Sequence, residues 1–209
     1  MELEIICDHT IAVLPAVSWK VLDIGSRNFG FATPMSVRGY DVLALEPDED
    51  SPESTDPKVH LFRIALTSKA RTGEIGTLIK WSTGEGNHLQ NLPGGCPPDS
   101  SFQATKCLCI EAIHTMFNVD VWDIVKMDCE GAEYDTLLEW PGLIARQITV
   151  EFHEHTGGHK SGMRVYGDIV DHLQQWYVPI QHVREVRYSC GIPNYWDSLF
   201  VLRSELTDV

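Results

Sequence analysis

Apolar positions along this chain fall into short continuous runs separated by stretches with a helical repeat. Val21-Leu22-Asp23-Ile24 is an apolar run ending in Gly25, the form expected of a strand buried on both faces. Asp41-Val42-Leu43-Ala44-Leu45 is a second, halted by Glu46-Pro47, and Phe29 to Val37 between them has helical character. Val59 to Ala65 reads as a third, weaker strand. Lys106–Ile110 reads as another strand, and Glu111–Phe117 as a short helix. Further along, Trp122–Asp128 is a strand, Ala132–Trp140 a helix stopped by Pro141-Gly142, and Gln147–Phe152 a strand. Val165, Ile169, Val170, Leu173, Trp176 and Tyr177 recur at helical spacing, which predicts an amphipathic helix over Val165–Tyr177. Val183–Tyr188 and Ser198–Leu202 follow as two late strands.

This alternation predicts right-handed βαβ crossovers and an α/β fold, doubly wound, with a mainly parallel sheet and helices on both faces. At 209 residues the chain fits one domain, 1–209. Two segments break the rhythm. Asp48 to Pro57 is acidic and rich in Ser and Pro, the pattern of a solvated loop. Residues 72–101 are dense in Gly, Pro, Asn and Ser around a strand-like Thr77–Trp81, and read as an insertion made of a hairpin plus a flexible loop.

Composition narrows the function. With 43% hydrophobic and 22% charged residues the chain is neither disordered nor fibrous. Sixteen basic against thirty acidic residues leave a formal charge of -14, which repels a phosphate backbone and an anionic membrane surface. Neither a nucleic acid nor a membrane is therefore the expected partner. Six cysteines, at 7, 96, 107, 109, 129 and 190, include no Cys-x-x-Cys pair, so neither a zinc signature nor a disulfide framework is present. They read as reduced thiols of a cytoplasmic protein. Glu2 and Glu4 stand where a secretory leader would be basic, and the apolar stretch Ile11–Val17 is short and broken by Pro15. Neither a leader nor a membrane span is expected.

In a doubly wound sheet the ligand sits beyond the carboxyl ends of the strands. Three such ends carry polar residues. Asp23-Ile24-Gly25-Ser26-Arg27-Asn28-Phe29-Gly30 is a glycine-bearing turn into a helix, where backbone N–H groups can meet a polar ligand. Glu46 follows Gly25 by 21 residues and could accept both hydroxyls of a ribose. Gly25 and Gly30 match the ends of a dinucleotide fingerprint, but Arg27 occupies its middle glycine and obstructs a pyrophosphate. A nucleoside cofactor without pyrophosphate fits better, S-adenosylmethionine (SAM) above all. An NAD-dependent oxidoreductase and a non-catalytic nucleoside-binding module are the alternatives.

The third end is the most specific. Asp128-x-Glu130-Gly131-Ala132-Glu133 closes a strand, opens a helix, and is followed by Val150-Glu151-Phe152-His153. This pattern resembles the FkbM-type family of SAM-dependent methyltransferases, and the resemblance spans about Val21 to Leu202. It implies a class I methyltransferase fold, a seven-stranded Rossmann-like sheet with its last strand antiparallel. It also implies O-methylation of a hydroxyl on a sugar, glycan or related natural product. By position, Asp23, Gly25 and Ser26 would flank the methionine part of SAM, and Glu46 would hold the ribose hydroxyls. Pro47 and Asp48 would lie beside the adenosine, Ala65 and Leu66 at the adenine edge, and Asp128 near the reacting centre. The family spaces its two motif glycines four apart, whereas Gly25 and Gly30 are five apart.

Glu151, His153, Glu154, His155 and His159 form the densest group of ligating side chains. Glu151 and His153 share one strand face by period two, beside Asp128. A sugar hydroxyl must lose its proton to react at neutral pH, and His153 is the candidate base, with Asp128 and Glu151 beside it. The same three residues, Asp128, Glu151 and His153, could instead bind Mn²⁺ or Mg²⁺. Glu133 and Asp135 read as acids favoured by the helix dipole. Trp81, Trp140, Trp176, Tyr195 and Trp196 could supply a stacking platform for a sugar ring, although each alone suits a core.

Overall fold

The two apolar runs Val21–Ile24 and Asp41–Leu45 lie side by side and parallel, in register Val21 to Val42 and Ile24 to Leu45. They belong to a seven-stranded sheet in a computed structural model that describes residues 1–80, 88–89, 99–153, 162–181, 188–189, 192–193 and 195–206. In chain order the first elements are β1 (Leu3–Ile6), β2 (His9–Ala12), β3 (Lys20–Ile24), α1 (Ala32–Val37), β4 (Asp41–Leu45) and β5 (Val59–Phe62). Next come β6 (Ile64–Leu66), β7 (Ile75–Lys80), β8 (His88–Leu89), β9 (Ser101–Leu108) and α2 (Ile110–Phe117). Then follow β10 (Ile124–Met127), α3 (Glu133–Leu138), β11 (Gln147–His153) and α4 (Gly162–Leu173). The chain closes with β12 (Tyr177–Gln181), β13 (Tyr188–Ser189), β14 (Ile192–Pro193) and β15 (Tyr195–Leu202). The main sheet runs β12-β15-β11-β10-β3-β4-β5. Its pairs from β11 to β5 are parallel, and β15 is antiparallel to both neighbours.

Side-chain alternation divides the core in two. Leu22, Ile24, Leu43, Leu45, Val125, Met127, Ile148 and Val150 face α2, α3 and α4 through Ile113, Leu137 and Ile169. Val21, Val42, Ala44, Val59 and Ile124 face the other way, onto Ala32 and Met35 of α1 and onto Ile6 and Ile11 of the N-terminal hairpin. Helices on both faces were expected. Among the described residues the second face carries only the six-residue α1, with the β1–β2 hairpin beside it. The β4–β5 connection contains Pro47, Pro52 and Pro57 and forms no helix. The hairpin escapes sequence reading because its turn residues, Cys7 (φ 44°) and Asp8 (φ 69°), lack the usual Asn-Gly signal. Gln147 ties it down, accepting from the Ala12 amide at 2.7 Å and donating to the Ala12 carbonyl at 3.0 Å.

Several element boundaries differ from the expected ones. The strand Val59–Ala65 is two: β5 joins the main sheet, while β6 pairs with β9 in a second sheet of order β6-β9-β7-β8. Lys106–Leu108 is the end of a longer β9, antiparallel to β7, whereas Cys109 leaves the strand and Ile110 opens α2. Within the expected insertion β7 pairs with β8, and its flexible-loop part lies mostly outside the described residues. The amphipathic helix stops at Leu173, and Tyr177 opens β12 with its hydroxyl donating to the carbonyl of Ala145 at 2.9 Å. The expected strand Val183–Tyr188 lies almost wholly outside the described residues. No helix among the described residues is long and apolar enough to cross a membrane.

A buried ionic knot fixes the opposite end of the sheet. Asp123 accepts the amides of Val17 (3.0 Å), Ser18 (3.0 Å) and Trp19 (2.7 Å) and pairs with Arg146 at 3.0 Å. Arg146 in turn grips both oxygens of Glu205, at 2.7 and 2.6 Å. Removing one partner of a buried pair leaves the other charge uncompensated. Asp123→Ala is therefore expected to lower unfolding free energy by about 3–5 kcal/mol in urea denaturation. A loss below about 1 kcal/mol, the value of a surface ion pair, would contradict this role.

Candidate active site

The site begins where β3 ends. Gly25 has φ +78°, and a Cβ built on it would stand 1.7 Å from the Asp128 carbonyl oxygen, so only glycine lets β3 and β10 close together here. The sequence suggests turn amides free to meet a ligand. Instead the amides of Gly25 and Ser26 both donate to the Leu45 carbonyl, at 2.9 and 3.2 Å. The Ser26 hydroxyl donates to Asp23 at 2.6 Å. Gly30, one position late for the family motif, makes room for the turn of the N-terminal hairpin. A Cβ there would come 2.5 Å from the Cys7 sulfur.

Lys126 sits opposite Asp23 in the β3–β10 register and is buried. Its ammonium donates to the carbonyls of Gly25 (2.8 Å) and Ile24 (3.3 Å), and pairs with Asp23 (3.2 Å) and Asp128 (3.5 Å). Burial opposes the charge, but Asp23 and Asp128 outweigh it and raise the lysine pKa. Burial likewise opposes the Asp128 carboxylate, yet Lys126, with His9 and His153, holds it well below the usual carboxylate range. His9, carried in by β2, is buried with Nε2 3.9 Å from Asp128.

Asp128, Glu151 and His153 do come together. Their ligand atoms lie within 4.8 Å of one another. His153 Nε2 stands 3.1 Å from Glu151, 3.6 Å from Asp128 and 3.7 Å from Glu130. Its Nδ1 is 2.6 Å from Glu133, which is fully buried and accepts the Gly131 amide on its other oxygen at 2.5 Å. Reading Glu133 as a helix-dipole residue misses this bond. Left-handed backbone at Glu130 (φ 56°) and Gly131 (φ 108°) forms the turn that brings both acids back to the ring. Burial disfavours the imidazolium, but Glu133 and Glu130 overcome it and raise the His153 pKa well above its ordinary value. Glu130 is pushed up to about 7 by burial, against the pull of His153. Asp23, Asp128, Glu130, Glu133 and Glu151 thus crowd around Lys126 and His153, five carboxylates to two cations. His155, His159 and Glu154 lie outside the described residues.

The second pole lies at the end of β4. Glu46 is buried, its Oε1 accepting the Asp48 amide at 2.8 Å, and burial raises its pKa. Residues 48–57 form the mostly exposed loop expected, but it is anchored at two points. Asp48 and Ser51 are buried, and Arg63 donates to their carbonyls at 2.5 and 2.8 Å. Ala65 and Leu66 point their side chains into apolar clusters, Ala65 against Leu89 and Cys107, so the backbone is what they offer a ligand. Trp140 and Trp196 are core residues, the latter stacked on Phe152 with centroids 5.4 Å apart, and supply no sugar platform. Trp176 packs against the same core. Trp81 and the Tyr195 side chain lie outside the described residues.

No protein-family model matches this sequence, and no curated protein does. Solved structures do. A protein described as a DNA modification methyltransferase encoded within a prophage of E. coli superposes with TM-score 0.50 at 13% identity, over 91% of this chain and 48% of its own. The chain thus spans about half the length of that protein. A TehB-like SAM-dependent methyltransferase from Corynebacterium glutamicum matches at TM-score 0.44 and 11% identity, over 90% of this chain and 83% of its own. The methyltransferase domain of a bacterial Hen1 matches at TM-score 0.40 and 10% identity, over 88% of this chain and 90% of its own. The first of these likenesses shows the fold alone, a mixed α/β fold shared with that methyltransferase.

The bond between Glu133 and His153 yields a test. In metal-free protein, Glu133→Gln removes the buried charge while keeping an oxygen acceptor. The His153 titration midpoint, followed by NMR, is expected to fall by about 1–3 pH units, the usual effect of one close opposite charge. An unmoved midpoint would mean that Glu133 does not govern the ring.

Proposed function

We propose that this chain is a SAM-dependent O-methyltransferase that acts on a hydroxyl of a sugar, glycan or similar small molecule, akin to the FkbM-type enzymes. One observation carries the reading. The carboxylates of Asp23, Glu46 and Asp128 stand at or next to the ends of three adjacent parallel strands, where the Gly25 backbone packs directly on that of Asp128. Those carboxylates suit a ribose and an amino group, and Arg27 stands where the dinucleotide fingerprint requires a glycine. Gly25 and Ser26, held by Asp23, would flank the methionine part. Glu46 would accept the ribose hydroxyls, with Pro47, Asp48 and the backbone of Ala65 and Leu66 around the adenosine. Bound there, SAM supplies an electrophilic methyl group.

The acceptor side rests on Asp128, Glu151 and His153, and a divalent cation is the better partner for them. Its neighbouring carboxylates favour a proton on the His153 ring, and Nε2 must give that proton up whether it serves as a base or as a ligand. As a ligand it is already set, because the Nδ1–H bond to Glu133 fixes the ring and turns Nε2 toward Asp128 and Glu151. Two carboxylate oxygens and one imidazole suit Mn²⁺ somewhat better than Mg²⁺. Such a cation would relieve the excess of carboxylates and lower the pKa of a hydroxyl it holds. In this reading Asp128 and Glu151 orient the acceptor, and His153 is a ligand and not the base.

Two measurements check these parts separately. SAM or its demethylated product, S-adenosylhomocysteine, should raise the melting temperature, whereas NAD should not. Glu46→Ala should weaken that binding by roughly 1.5–3 kcal/mol in calorimetry, the value of a hydrogen bond to a charged group. Stabilisation by NAD alone would overturn the cofactor reading. For the metal, exhaustive EDTA should abolish methylation of a hydroxyl acceptor, and Mn²⁺ should restore it. Glu151→Ala should then raise the cation concentration needed. Full turnover in chelator would return the proton-accepting role to His153.

A further inference from the structure

We propose that Lys80 and Gln103, on one face of the β7–β9 hairpin, are positioning residues that hold the Glu46–Asp50 segment in the shape that reads a ribose. The inference rests on the cofactor reading above and adds to it a role for the inserted hairpin. Leu78 pairs with Gln103 and Lys80 with Ser101, so Lys80 and Gln103 are diagonal neighbours on the same side of the two strands. Between them they touch every residue that follows Glu46 up to Asp50. The Gln103 amide donates to the Pro47 carbonyl at 2.6 Å and accepts the Glu49 amide at 3.1 Å. The Lys80 ammonium pairs with Asp48 at 2.5 Å and with Asp50.

The charge sequence explains why such a grip is needed. Glu46, Asp48, Glu49 and Asp50 place four acids within five residues, and left alone they repel into an extended loop. Lys80 is mostly buried against Asp48, whose side chain is 8% exposed, so this pair is weakly screened by solvent. Arg63 grips the same loop through the carbonyls of Asp48 and Ser51. The grip reaches the binding carboxylate through one bond. Fixing Asp48 fixes its backbone N–H, and that N–H holds Glu46 Oε1. Lys80 also offsets the charge of Asp48, leaving Glu46 as the acid presented to a pair of hydroxyls.

A role confined to folding would weaken all ligands alike, whereas positioning of Glu46 acts through the ribose hydroxyls. The test is calorimetric binding of S-adenosylhomocysteine, with adenosine and 2′,3′-dideoxyadenosine as neutral competitors, to the full chain and to Lys80→Met and Lys80→Arg. The wild-type chain should prefer adenosine to the dideoxy compound. Lys80→Met should bind S-adenosylhomocysteine about ten-fold more weakly, the scale of one lost charged contact, and lose most of that preference. Lys80→Arg should recover both, and Gln103→Leu should act in the same direction if Lys80→Met does not fold. An unchanged preference in Lys80→Met and Gln103→Leu would overturn the proposal, as would an equal loss for both competitors. Failure of the wild-type chain to bind S-adenosylhomocysteine would instead sink the cofactor reading itself.

Discussion

The ammonium of Lys126 is the constraint on which the site depends. A buried lysine is tolerated only where its charge is met, and here it is met by two carbonyls of β3 and its turn and by the carboxylates of Asp23 and Asp128. These four contacts join the carboxyl ends of two parallel strands at the point where the Gly25 backbone touches Asp128. Both carboxylates are thereby held in place, and that of Asp128 is held ionised. Everything nearer the ligand side is arranged around them: Ser26 on Asp23, His9 and His153 on Asp128, and the Glu130–Glu133 turn on His153.

Two additions flank this centre, and both are antiparallel hairpins. The N-terminal one replaces helix on the thin face of the sheet and brings His9 to Asp128. The inserted one, β7–β9, reaches the acidic loop after β4 and pins it with Lys80 and Gln103. One hairpin therefore borders the carboxylate cluster and the other the Glu46 loop. The scaffold is a mainly parallel seven-stranded sheet, and these two strand pairs lie beside its polar residues.

Sequence pattern made the central strands legible because runs such as Val21–Ile24 and Gln147–Phe152 are buried on both faces and leave little ambiguity of period. The shared face of Glu151 and His153 followed from strand alternation, and their proximity to Asp128 from the expected adjacency of the two strands. What stayed hidden depends on contacts distant in sequence. Lys126 lies inside an otherwise apolar strand, and nothing local reveals that Asp23 stands opposite it. Glu133 occupies the first turn of a helix, where acids are common for electrostatic reasons, so its bond to His153 had no sequence signal. The acidic loop after Glu46 is exposed over most of its length, as its composition suggests, but its anchors Lys80, Gln103 and Arg63 come from distant parts of the chain and leave no local signal. Gly30 looked like a displaced cofactor glycine, whereas its close neighbour is Cys7, from a turn with no turn signature.

The central claim is that one polar layer, organised by Lys126, holds a nucleoside at Glu46 and a cation between Asp128, Glu151 and His153. A crystal structure of the chain with S-adenosylhomocysteine and Mn²⁺, with anomalous data collected at the manganese edge, tests it most directly. The expected result is ribose hydroxyls on Glu46 and a single anomalous peak bounded by Asp128, Glu151 and His153 Nε2, with Nδ1 still on Glu133. A nucleoside bound away from the ends of β3 and β4, or no peak with His153 still paired to Glu151, would contradict it.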